Sequence, residues 1–253
     1  MTVTHMLRQE DRVPTDCTAA AGQVASPIGM KCPRRCIRRG ERLYGTGDAF
    51  RLVYVVRVGV LKSFILSNDG LMQVTGFPMA GDAVGLDGVC TGRHQNAVVA
   101  LEDAEVFVLP FAQCERWAQA SPDGQRLMLR TLAQEIARGQ EQALMIGVMR
   151  AEQRVAAFLL ELSVRYQRLG YSPSNFVMRM TRHDIGSFLG LKLETVSRLL
   201  SRLHHDGLIQ IQGKSVWLLD FPALWRLSGL APESRRHALD SILDREGNLP
   251  ATE

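Results

Sequence analysis

The sequence predicts an α+β chain built from a β-roll, a long helix and a C-terminal winged helix-turn-helix. Three observations carry this prediction. Short β-branched runs broken by glycines fill residues 31–122, and an apolar repeat of threes and fours runs through 123–150. Within 151–230, a short helix, a glycine turn and an amphipathic helix follow one another.

Residues 1–30 mix Thr, Gln, Ala and Gly without periodicity and read as a flexible tail. In 31–122 the strand formers come in short runs, such as Val53, Val55, Val58 and Val60, then Val98, Val99, Val106 and Val108. Gly47, Gly59, Gly70 and Gly81 recur at the rhythm of short strands and tight turns in a jelly roll. Ser67-Asn68-Asp69-Gly70 is the clearest turn, because Asn, Asp and Gly tolerate positive φ. The basic run Lys31, Arg34, Arg35, Arg38, Arg39 and Arg42 reads as a solvated strand face.

The helix from about 123 to 149 carries Leu129, Leu132, Ile136, Gly139, Ala143 and Ile146 at heptad a and d spacing. The period fits a dimer seam and equally a helix laid on its own domain. The small Gly139 and Ala143 favour close approach of a second helix. Residues 151–169 read as another helix, with Val155, Phe158, Leu159 and Leu162 on its apolar face and Gly170 after it.

Thr181 is placed to N-cap a short helix with Ile185 and Leu189 inward, and Gly190 to end it in the left-handed conformation. The next helix starts near Leu193 and buries Val196, Leu199, Leu200 and Leu203. Its other side presents Glu194, Ser197 and Arg198 within one turn, the layout of a recognition helix. A guanidinium can donate twice to guanine O6 and N7, a carboxylate can accept from a cytosine amino group, and a serine can approach a thymine methyl. The alternative is a solvated Glu194–Arg198 pair at i,i+4. Beyond it, Gln212-Gly213-Lys214-Ser215 turns a hairpin whose tip Lys214 can reach a phosphate. Thr181, Arg182, Lys192, Thr195, Arg202 and Lys214 form the expected set of DNA-backbone contacts. Residues 151–230 hold ten Lys/Arg against six Asp/Glu, while the whole chain has a formal charge of +4. Residues 231–253 are polar, with room for a short helix near Arg235–Leu243.

The chain has no apolar run of about 20 residues and no signal-peptide core at its start, so a cytoplasmic protein is expected. It lacks a Gly-rich phosphate loop and a nucleophile–base signature, which argues against an enzyme.

From about Ile37 to Leu227 the sequence resembles the CRP/FNR family of bacterial transcription regulators, in its FNR-like branch. The resemblance rests on Val74-Thr75-Gly76-Phe77 and Ala80-Gly81-Asp82-Ala83-Val84-Gly85. It is most specific at Thr181-Arg182-His183-Asp184-Ile185-Gly186, Leu189-Gly190-Leu191 and Glu194-Thr195-Val196-Ser197-Arg198-Leu199-Leu200. It implies a cyclic-nucleotide-binding-domain-like jelly roll, a dimerisation helix and a winged helix. It also implies a homodimer on double-stranded DNA with RNA polymerase as partner, and residues matching Glu194, Ser197 and Arg198 that read the half-site TTGAT. Activation and repression both remain open, as does a signalling module for a cyclic nucleotide or small ligand whose C-terminal domain binds protein.

The sequence departs from the family where cofactors bind. Oxygen-sensing members hold a [4Fe–4S] cluster with three tail cysteines and one in the roll. Here the tail has only Cys17, Cys36 near Cys32 falls in the first strand region rather than in a tail motif, and Phe107 stands at the roll position. A cuboidal cluster takes four thiolates, so none is expected. Members that bind cyclic AMP use a Glu and an Arg-Ser pair, matched here by Leu86, Asn96 and Ala97, so no guanidinium meets a phosphate. Cys90 and Cys114 read as small hydrophobes. His94 reads as a solvent-facing loop histidine, with haem ligation as the alternative.

Overall fold

The structure, a computed structural model, describes residues 24–25, 31–67 and 69–230. The expectations for the two tails, Cys17 and the helix near Arg235–Leu243 included, lie outside the described residues. The chain divides into two compact units, residues 1–137 and 138–253.

The first unit is all antiparallel in its strands. These are β1 (Val24–Ala25), β2 (Lys31–Cys32), β3 (Arg34–Ile37), β4 (Arg42–Tyr44), β5 (Leu52–Val58), β6 (Leu61–Leu66), β7 (Met72–Gly76), β8 (Ala83–Val84), β9 (Ala97–Ala100) and β10 (Ala104–Pro110). Two four-stranded sheets, ordered β3-β10-β5-β8 and β4-β9-β6-β7, make the roll, and β1 pairs with β2. Successive side chains on a strand point to opposite faces. Tyr54 and Val56 of β5, with Val106 and Val108 of β10, fill the core between the sheets. Val55, Phe107 and Leu109 of the same strands form a second apolar cluster with Cys32. Both faces of this pair are therefore buried, which is why its sequence shows unbroken apolar runs rather than alternation. The turn from β6 to β7 closes where the sequence places it, with Gly70 donating to the Ser67 carbonyl at 2.9 Å and adopting φ 76°.

Helix α1 (Phe111–Ala120), which the sequence reading did not foresee, follows β10 directly. Helix α2 (Pro122–Val148) then continues for 27 residues. The second unit holds the end of α2, α3 (Ala151–Arg168), β11 (Asn175–Val177), α4 (Arg182–Leu189), α5 (Leu193–His205), β12 (Ile209–Gln212), β13 (Ser215–Leu218) and α6 (Phe221–Ser228). Its sheet is ordered β11-β13-β12. Val155, Phe158, Leu159 and Leu162 of α3 are buried as expected. Helix α6 was also unforeseen, although its signals stand in the sequence. Asp220 caps it by accepting from the Ala223 amide at 2.8 Å, Pro222 opens it and left-handed Gly229 closes it.

Candidate nucleic-acid interface

The interface begins with a capping box. Thr181 Oγ1 accepts from the Asp184 amide at 3.0 Å, and Asp184 Oδ2 accepts from the Thr181 amide at 3.0 Å. The Thr181 hydroxyl also donates to Asp184 Oδ2 at 2.6 Å, so this side chain is engaged by the helix start. At the far end Gly190 takes φ 63° and ψ 39°, and the chain turns at once into α5. The Leu191 amide closes the turn by donating to the Gly186 carbonyl at 2.8 Å.

Helix α5 buries Val196, Leu199, Leu200 and Leu203, all at most 7% exposed. Glu194 and Arg198 are exposed and Ser197 is half-buried, all on the first two turns. Among the described residues no ion pair joins Glu194 to Arg198, so the i,i+4 alternative is not realised. Lys192 is the exposed N-cap of α5, and Thr195 is half-buried beside it. Arg182 is half-buried on the first turn of α4. The wing is the β12–β13 hairpin, turned at Gly213 with φ 62° and tipped by exposed Lys214. Arg202 differs from the rest of the expected phosphate set. Its guanidinium pairs with Glu152 of α3 and lies 3.7 Å from Asp206, which holds it within the domain.

Two residues outside the sequence-based set tie this assembly together. Arg154 of α3 donates to the Met149 carbonyl at 2.9 Å, the Leu189 carbonyl at 2.9 Å and the Ile146 carbonyl at 2.6 Å. Gln142 of α2 donates to the Phe188 carbonyl at 3.1 Å. The acceptors are backbone groups, so no residue pattern signals these contacts.

On α2, Leu129 and Ile136 are 60% and 63% exposed, and Leu132 is exposed as well. Ala143 is exposed, and a Cβ added at Gly139 would meet nothing within 4 Å. These residues are therefore exposed on the single chain. Ile146 is shared, since a Cβ at Gly190 would stand 3.4 Å from its side chain.

The turn of the roll that faces an effector in the resembling family is filled from within. Asp87 lies on a short 3-10 turn, Leu86–Gly88. Its Oδ2 accepts from the Gln95 amide at 2.6 Å and the Asn96 amide at 2.8 Å. Its Oδ1 lies 3.3 Å from His94 Nδ1 and 3.4 Å from the Tyr44 hydroxyl. Burial acts to raise the Asp87 carboxyl, but the hydrogen bonds from His94 and the two amides outweigh it and hold the group below its ordinary value. Burial beside this carboxylate pushes the Tyr44 phenol up. His94 corrects its sequence reading. It is 3% exposed and stacks on Tyr44 with ring centroids 3.9 Å apart, because its ring closes the Asp87 pocket rather than facing water. The His94 ring is packed on Tyr44 and not open to a haem iron, and a phosphate would meet the Asp87 carboxylate on the Gln95 and Asn96 amides. The donor set fits neither group.

The cysteines fit a cluster no better. Phe107 is buried in the apolar cluster with Cys32, while Cys36 and Cys90 are exposed. Cys114 packs at the edge of that cluster, and burial pushes its thiol up to about 11. The small-hydrophobe reading thus suits Cys114 but not Cys90. Part of the basic run is neutralised, with Arg34 at 3.0 Å from Glu105 of β10 and Arg35 at 3.2 Å from Glu41 in the loop before β4. No helix among the described residues is long and apolar enough to cross a membrane.

Comparison with known proteins agrees with this geometry. Residues 34–121 match the cyclic nucleotide-binding domain and residues 153–227 match the Crp-like helix-turn-helix domain. The chain is 42% identical over 235 residues to the transcriptional regulatory protein btr of Bordetella pertussis, covering 86% of this chain and 97% of that protein. It is 37% identical over 196 residues to the fumarate and nitrate reduction regulatory protein of Escherichia coli K12, covering 78% of each. Among solved structures it is similar to FixK2 of Bradyrhizobium japonicum. The TM-score is 0.73 at 31% identity, covering 80% of this chain and all of that one.

Proposed function

Because the chain belongs to the CRP/FNR family of DNA-binding transcription regulators, we propose that it works as a homodimer on an FNR-like palindrome of TTGAT half-sites, without an iron–sulfur or cyclic-nucleotide signal. The observation that carries the reading is the exposed face of α5. Glu194, Ser197 and Arg198 stand together on a helix whose opposite side is buried, in the turn geometry that sends such a helix into the major groove. Arg198 reads the guanine of each half-site, Glu194 accepts from the cytosine paired with it, and Ser197 sits against a neighbouring T·A pair. Arg182, Lys192, Thr195 and Lys214 hold phosphates. Thr181 contributes there through its place at the start of α4, and Arg202 serves the domain before the DNA. Leu129, Leu132, Ile136, Gly139, Ala143 and part of Ile146 form the dimer seam of α2. The compartment is the cytoplasm, where bacterial DNA and RNA polymerase are found, and the polymerase is the partner.

Asp87 and Phe107 support the absence of a family signal. The first supplies a carboxylate where an effector phosphate would dock, and the second places a buried ring where a thiolate would be needed. The test is binding to single-base variants of the palindrome at fixed salt. Arg198→Ala should relax the preference at one base pair by about 1–3 kcal/mol per half-site. Lys214→Ala should weaken every site alike and lower the salt slope by about one per wing. An unchanged rank order of sites with Arg198→Ala would show that Arg198 touches only the backbone and that this reading of α5 is wrong.

A further inference from the structure

A helix leaves its last carbonyls without intrahelical donors and gathers partial negative charge at that end. Two such ends lie side by side in the second unit. The Ile146 carbonyl lies in the last turn of α2, the Met149 carbonyl one residue beyond it, and the Leu189 carbonyl ends α4. One guanidinium, that of Arg154, serves all three through three different nitrogens. The Phe188 carbonyl, one residue earlier in α4, is taken by Gln142 from α2 itself. The turn into the recognition helix rests on the same group, since a Cβ at Gly190 would stand 3.4 Å from Arg154 Nη1 and 3.4 Å from Ile146. Only arginine offers a planar fork of donors with a fixed charge. Lysine would keep the charge but concentrate it on one rotatable ammonium.

We propose that Arg154 is a positioning residue for half-site spacing, locking the end of the seam helix to the end of α4 so that each recognition helix stands at a fixed distance from the dimer axis. The proposal rests on the homodimer reading. A residue that merely stabilised the domain would, on removal, lower affinity for all DNA alike. A spacing lock does something different. Two rigidly held reading helices engage both half-sites only when these are correctly separated, and the gain from the second contact vanishes when geometry forbids it. Loosening the lock lets the domains swing to meet other separations.

The experiment measures binding of the full chain to palindromes whose half-sites are moved apart or together by one to three base pairs, at fixed salt. The wild type should prefer one spacing by about a hundredfold or more. With Arg154→Gln the profile should flatten to within about tenfold, while the single-base preference at each half-site stays in place. Arg154→Lys should fall between the two. Gln142→Ala leaves the guanidinium intact and should flatten the profile in the same direction by less, so the test stands even where Arg154→Gln folds poorly. A steep wild-type profile left unchanged by both Arg154→Gln and Gln142→Ala would overturn the lock and leave the dimer reading standing. A flat profile already in the wild type would overturn the dimer reading and the lock with it.

Discussion

Gly186, in the middle of α4, faces the carbonyl oxygen of Leu191 so closely that a Cβ on it would stand 2.6 Å from that oxygen. The same two residues are joined by the Leu191 amide donating to the Gly186 carbonyl. A helix-interior glycine costs about 1 kcal/mol relative to alanine, so alanine would ordinarily be the better residue here. Contact with a backbone oxygen reverses that preference, because backbone cannot swing aside as a side chain can. Gly186→Ala should destabilise the second unit by about 1–3 kcal/mol and weaken DNA binding with it. Urea unfolding followed by tryptophan fluorescence checks the stability, and a variant as stable as the wild type would show that the turn between α4 and α5 yields easily.

The proposed seam of α2 predicts the oligomeric state. Ile136→Glu places a carboxylate where two copies of the helix would close over it, an uncompensated charge of the kind that costs about 3–5 kcal/mol when buried. Ile136 is exposed in the single chain, so the variant should remain folded while sedimenting as a monomer. A folded dimer at the wild-type concentration would place the interface elsewhere.

Asp87 predicts an acid limit on the roll. Its carboxyl is held below the ordinary value in the folded chain, so its contribution is present above the unfolded carboxylate range near 4 and is lost as pH falls through the lower folded value. Asp87→Asn removes charged acceptors from the Gln95 and Asn96 amides and should cost about 1–3 kcal/mol at neutral pH. The gap between variant and wild type should narrow as both are taken below the folded pKa. Urea midpoints measured across that range check it, and a gap that stays constant would remove Asp87 from the account.

The cysteines predict indifference to oxygen. Protein purified without air should be colourless, contain no iron, and bind the palindrome equally before and after aeration. Loss of binding on aeration, with bleaching of a brown colour, would mean that ligands outside the roll build a cluster.

The helix-turn-helix was legible residue by residue because its signals are local. A capping threonine, a glycine at positive φ and an apolar stripe all lie within 25 residues. The roll was legible as a class. Its sheet pairings were not, since register depends on contacts between strands distant in sequence, such as β3 with β10. His94 was misread for the same reason. Nothing near it in the chain announces Tyr44 or Asp87, and a loop histidine without its partners reads as solvent-facing. Arg154 was hidden differently, because its partners are carbonyls that every sequence possesses. Arg202 was visible as a basic residue on the correct helix, but Glu152, fifty positions earlier, already holds it.

The bare apolar flank of α2 has a quantitative consequence for gene control. With that flank as the assembly surface, chains are mostly single below the dissociation constant of the pair, and the population of assembled pairs then grows as the square of the number of chains. In that regime, while the promoter is mostly empty, a twofold rise in synthesis gives close to a fourfold rise in occupied promoter. A regulator whose roll carries its own anion can thus still switch sharply, with its expression level serving as the input.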